Sequence, residues 1–138
     1  MRTKTSAAGI ACAIAAGSVM FSAPTASAAA ACDSSGHTAP GLPIERCTKL
    51  SNGILYHKKD VNSPTTLRTT YSKTGGSRVT VKLGYSMSGS TKYSSSFSIS
   101  SGETKSKSWS KSGSYMCYNS VGLLSYSGGT YQTPAAHC

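Results

Sequence analysis

From Lys49 onward, apolar and polar residues alternate with a period of two rather than 3.6, which is the spacing of half-buried strands. The clearest segment spans 78–85: Val79, Val81, Leu83 and Tyr85 share one face, and Arg78, Thr80 and Lys82 the other. Segment 65–72 sets Leu67, Thr69 and Tyr71 against Thr66, Arg68 and Thr70. Residues 53–57 form a short apolar strand candidate, and 92–100 place Tyr93, Phe97 and Ile99 on one face. Segments 103–110, 115–126 and 131–133 complete the series. Between them, Gly75-Gly76 predicts a hairpin turn, and Ser88-Gly89-Ser90, Ser101-Gly102 and Gly128-Gly129 predict further turns. Seven or so short strands spaced by Gly and Ser predict an all-β chain folded as an antiparallel sandwich or small barrel. Trp109 breaks the pattern, because it has the parity of Lys105 and Lys107. Either a bulge before Trp109 turns the only tryptophan inward, or the lysine stems cover the indole from a solvent face. The bulge is expected, because the only tryptophan of a thin core is usually buried.

The segment ahead of this body has neither period. Gly36, Pro40, Gly41 and Pro43 interrupt both helix and strand patterns, and Cys32 and Cys47 bracket the stretch. Residues 29–48 therefore read as an irregular arm, and 49–138 as the β-sandwich domain. Leu42 and Ile44 flank Pro43 and give the arm an apolar tip. Such a tip either folds back on the core or inserts into a partner, which makes Pro40, Leu42, Pro43 and Ile44 the candidate partner-binding residues.

Residues 1–28 read as a secretion signal: Arg2 and Lys4 give a positive start, an apolar stretch runs from Ala7 to Phe21, and Ala26-Ser27-Ala28 fits a cleavage site. Removing those 28 of 138 residues leaves 110, the size of one domain. Cys12 leaves with the signal, so Cys32, Cys47, Cys117 and Cys138 remain. An even count in a short secreted domain predicts two disulfides and an extracellular location. Four cysteines allow three connectivities; Cys32–Cys47 and Cys117–Cys138 are expected because each closes a short loop.

Charge narrows the function less than location does. Of 14 basic residues, 12 remain after the signal, against Asp33, Glu45, Asp60 and Glu103, for a net charge of +8. The cations are dispersed, with Lys58-Lys59 the only adjacent pair, so no nucleic-acid patch is expected. Neither a membrane span nor a basic amphipathic helix is expected. His37, His57 and His137 lie in no nucleophile–base motif, no G-x-S-x-G occurs, and the four acidic residues form no visible pair. Cysteines 15 and 21 residues apart do not match structural zinc spacing. A non-enzyme without metal or cofactor is the expectation. Eight tyrosines recur among serines and lysines; some must fill a core poor in Leu and Ile, and outward ones would mark a binding face.

Two family resemblances are carried by the second half of the chain. Ser114-Tyr115-Met116-Cys117-Tyr118-Asn119-Ser120-Val121-Gly122-Leu123-Leu124, with Tyr131-Gln132-Thr133-Pro134-Ala135-Ala136-His137-Cys138, resembles the C-terminal end of a known group. That group is the small adaptor subunit of the umbrella toxin particles secreted by streptomycetes. The resemblance implies a connector between a lectin-like propeller subunit and the repeat-containing stalk protein of an antibacterial particle, with the arm as the part inserted into a partner's cleft. Arg78-Val79-Thr80-Val81-Lys82 and the cysteine count are similar to the secreted α-amylase inhibitors. That family's Trp-Arg-Tyr inhibitory triplet is absent here, since Ser108 and Ser110 flank Trp109. The fold expected from period and resemblance together is a small antiparallel β-sandwich, immunoglobulin-like or tendamistat-like, with an irregular N-terminal arm and two disulfides. Inhibition of a secreted hydrolase and direct cationic antimicrobial action are the alternative functions.

Overall fold

The computed structural model describes residues 31–39, 41–60 and 63–138. The expected signal at 1–28 and Pro40 of the candidate tip lie outside the described residues. Nine strands follow one another: β1 Glu45–Leu50, β2 Gly53–Asp60, β3 Thr65–Lys73, β4 Val79–Met87 and β5 Ser90–Tyr93, then β6 Phe97–Ile99, β7 Thr104–Lys111, β8 Ser120–Tyr126 and β9 Gly129–Gln132. They form two antiparallel sheets, one ordered β1-β2-β3-β7 and the other β5-β4-β8-β9, with β6 paired to β4. The expected all-β sandwich is the fold found. Both disulfides, Cys32–Cys47 and Cys117–Cys138, pair as expected, and they fit an oxidising compartment. Among the described residues there is no helix, so none is long and apolar enough to cross a membrane.

Period-two alternation sets which side chains meet. Leu55 of β2, Leu67 and Tyr71 of β3, Val81, Leu83, Tyr85 and Met87 of β4, and Leu124 of β8 point between the sheets and are buried. They form two clusters, a larger one around Leu55, Tyr71, Leu83 and Leu124 and a smaller one of Leu67, Tyr85 and Met87. Each fully buried leucine contributes about 2 kcal/mol. Such a thin core needs its staples, each of which limits the unfolded chain by about 3 kcal/mol.

Several local expectations are corrected. Gly75-Gly76 does not close a hairpin: it carries the chain from β3 in one sheet to β4 in the other. Ser101-Gly102 likewise joins β6 to β7 across the sandwich. Ser88-Gly89 does close one, between Met87 and Ser90, with φ of 52° and 74° at the two turn residues, the primed geometry that matches strand twist. The expected single strand at 92–100 is two strands, β5 and β6, so Tyr93 is exposed while Ile99 is buried. Residues 115–119 are loop rather than strand, and β8 starts at Ser120. The first strand begins at Glu45, inside the segment read as arm.

No bulge precedes Trp109. The β3–β7 register runs unbroken from Thr65 opposite Lys111 to Ser72 opposite Thr104. Lys105, Lys107, Trp109 and Lys111 therefore share the half-buried face. Trp109 packs at 5.1 Å from the Tyr85 ring, and the lysine stems line the same edge with their ammonium groups over aromatic rings.

Candidate functional site

The arm is a built structure. The Asp33 carboxylate accepts hydrogen bonds from Ser35 N, Ser35 Oγ and His37 N, and these donors lower its pKa. Arg46 reaches back to the carbonyls of Gly36 and Ser35, and Cys47 N donates to Gly36 O. Bridges pair Cys32 with Thr38 and His37 with Arg46. The arm thus covers the free edge of β1. Gly36, at φ +80°, lies so close to Pro134 that a Cβ would stand 2.5 Å from its ring, so the arm also packs on the segment after β9.

The tip joins that same end of the sandwich. His137 N donates to Pro43 O at 3.1 Å, and Lys59 N donates to Ile44 O at 3.0 Å. Leu42 is 44% exposed, Pro43 is exposed and Ile44 is half-buried. Of the candidate residues, then, Leu42 and Pro43 project outward while Ile44 anchors the tip to β2.

Lys59 organises the neighbouring loop. It occupies an inward position at the end of β2 and is fully buried. Its Nζ donates to Met116 O at 2.7 Å and to Tyr118 O, with Tyr115 O at 3.5 Å. Burial lowers its pKa to about 8, so at neutral pH an ammonium still caps these carbonyls. Cys117, in the middle of this loop, is bonded to Cys138, next to His137. Tyr118 is 53% exposed and meets Tyr115 edge-on at 5.3 Å between centroids. The structure thus brings the arm tip, the loop at 115–118 and the segment at 137–138 to one end. Leu42 and Tyr118 are its large exposed apolar side chains.

Deeper in the sandwich, His57 is buried between the sheets. Its Nδ1 lies 3.0 Å from Thr69 Oγ1 and its Nε2 2.9 Å from Ser120 Oγ. Thr69 spends its own hydroxyl proton on Gly84 O at 2.9 Å. The Nδ1 must therefore carry the ring proton, and Nε2 accepts from Ser120. Serine, histidine and a third polar group stand in a line, as in nucleophilic catalysis, but Ser120 is 1% exposed. No substrate carbonyl reaches its Oγ in this state. Burial, followed by the charge on Lys59, lowers the His57 pKa to about 4, which keeps the ring neutral in the core.

The other end of the sandwich holds a cleft of about 230 Å3 walled by Leu50, Tyr71, Lys73, Val79, Tyr126 and Tyr131. Tyr126 and Tyr131 stack there at 5.8 Å with planes 9° apart. Tyr71 and Tyr85 are the buried tyrosines; Tyr93, Tyr118 and Tyr131 are exposed. Among the described residues, no three His, Cys, Asp or Glu side chains gather as a metal site.

Sequence reading missed Lys59, His57 and Ser120 as organisers. Parity held a signal for two of them, because Leu55, His57 and Lys59 follow one another at period two along β2. No protein-family model matches the chain, and neither a curated protein nor a solved structure matches it.

Proposed function

We propose that the protein is a secreted, non-enzymatic protein–protein adaptor that docks through the end of the sandwich bearing Leu42 and Tyr118. The observation that carries this reading is the investment in holding that end still. A buried lysine, a disulfide and the Pro43–His137 bond all converge on a rim that exposes Leu42 and Tyr118. Exposed Leu and Tyr on a preorganised rim lose little entropy when a partner covers them, and tyrosine is among the residues enriched at interfaces. The resemblance at 114–124 and 131–138 supports a specific setting, in which the partners are a lectin-like propeller subunit and the repeat-containing stalk of an antibacterial particle.

The test is to recover tagged protein from culture medium and to compare it with Leu42→Asp and Tyr118→Asp. Co-purification of a propeller lectin and a repeat protein with the wild type, lost in either variant at unchanged melting temperature, is the expected result. A lone monomer in the medium overturns the adaptor reading. Inhibition of amylase or protease by the pure protein, or salt-sensitive killing by it alone, would transfer the function to the corresponding alternative.

A further inference from the structure

The sandwich has four sheet edges, and they are treated differently. The arm covers β1. Strand β9 is four residues long, and its Gln132 carbonyl accepts from Thr48 of β1. The edge beyond β4 is broken into β5 of four residues and β6 of three. Strand β7 is eight residues long, regular, and among the described residues pairs with β3 alone. Its outer edge presents a row of backbone donors and acceptors, the template for another strand.

Side chains on β7 carry a pattern as well. Lys105, Lys107, Trp109 and Lys111 occupy successive positions on the inner face, and Thr104, Ser106, Ser108 and Ser110 alternate with them, exposed. The ammonium groups are held in place. Lys105 Nζ donates to Ser98 O at 2.8 Å and lies 5.8 Å from the centre of the Phe97 ring, over which Lys107 stands at 5.3 Å. Lys111 stands 5.1 Å from the centre of the Tyr115 ring. Among the described residues the carboxylate paired with them is Glu103, at 3.9 Å from Lys105. A row of cations bound to aromatic faces and backbone, with little anionic neutralisation, is complementary to an anionic strand.

We infer that the β7 edge accepts an extended acidic segment of another protein by strand addition. Residues opposite Lys105, Lys107 and Lys111 would be acidic, the one opposite Trp109 apolar, and those between them hydroxylic. Main-chain bonds supply affinity, and the alternate side chains supply register. A second copy of this chain is a poor occupant, because an antiparallel β7 pair would set lysines against lysines, and like charges directly opposite destabilise a ladder. Strand addition at β7 is independent of docking at the Leu42 end.

The probe is a synthetic antiparallel complement, Glu-Thr-Leu-Thr-Glu-Thr-Glu-Thr, titrated into the full protein. Hydrogen exchange follows the backbone of residues 104–111. Expected are new protection confined to β7, binding that falls at least about tenfold as salt screens the charges, and a similar loss in the Lys107→Glu, Lys111→Glu double variant with its melting temperature kept. A peptide of the same composition with its glutamates run together should bind at least about tenfold more weakly, since register is lost. Leu42→Asp should leave peptide binding unchanged, which separates this edge from the adaptor reading. Equal binding of the scrambled peptide, or no protection on β7, overturns the inference. Tighter binding of oligodeoxythymidine at the same lysines without amide protection would also overturn it, in favour of a nucleic-acid surface.

Discussion

The Nε2 of His57 on β2 lies 2.9 Å from the Oγ of Ser120 on β8, a hydrogen bond that crosses from one sheet to the other. Its mate, His57 Nδ1 to Thr69 Oγ1, lies within the first sheet. The pair fixes a neutral imidazole between the sheets, with Thr69 and Ser120 satisfying its two ring nitrogens, so the sandwich carries a titratable group where charge is costly.

That cost gives a pH dependence whose sign is set by a depressed pKa. Above pH 6.5 His57 is neutral folded and unfolded, and the network is intact. Between pH 6.5 and about 4 the unfolded chain takes up a proton that the folded protein refuses, so stability falls as pH falls. The loss approaches about 3 kcal/mol by the bottom of that window. Urea denaturation at successive pH values should show this slope, and His57→Gln, which keeps a donor and an acceptor but does not titrate, should flatten it.

Gly122 makes room for the same histidine. A Cβ on Gly122 would stand 2.6 Å from His57 Cβ, a contact that must be relieved by moving strands, since Cβ positions are fixed by backbone. Gly122→Ala is expected to cost about 2–3 kcal/mol, read as a lower denaturation midpoint at unchanged slope.

Replacing Lys59 by Met keeps an apolar stem as far as Cε and removes the ammonium. The carbonyls of Met116 and Tyr118 then lose their shared donor, at a cost of about 2–4 kcal/mol. Hydrogen exchange should accelerate first in residues 115–119, with β4 and β8 still protected. Uniform acceleration across the molecule would show that Lys59 holds the whole fold rather than its loop.

Reduction should proceed in order. Cys32 and Cys47 are buried, whereas Cys117 and Cys138 are exposed. A mild thiol is expected to open Cys117–Cys138 in the native protein and to reach Cys32–Cys47 only in denaturant, because exchange needs access to sulfur. Mass mapping of alkylated cysteines after brief treatment reports the order.

How far sequence reaches differs from strand to strand. Val79, Val81, Leu83 and Tyr85 point inward as their alternation requires, and Leu67, Thr69 and Tyr71 do so on β3. Both bridges follow from loop length. Trp109 does not follow from its neighbours' chemistry: β7 ends its sheet, so long lysine stems on its inner face escape to solvent and no bulge is needed. Tyr115 and Tyr118 look like strand residues, yet a lysine 56 residues upstream of Tyr115 holds them in a loop.

By itself, then, the sequence determined the β class, most strand positions and faces, and the two staples, because period-two alternation and loop closure are local properties of a chain. Which glycine pairs turn within a sheet and which cross between sheets was decided only by the tertiary fold. So were the buried roles of His57 and Lys59, the convergence of Pro43, His137 and the disulfide of the 115–118 loop at one end, and the open edge of β7. Each of these depends on what lies across the sandwich, and a polar side chain can enter a core only where distant strands bring it hydrogen-bonding partners.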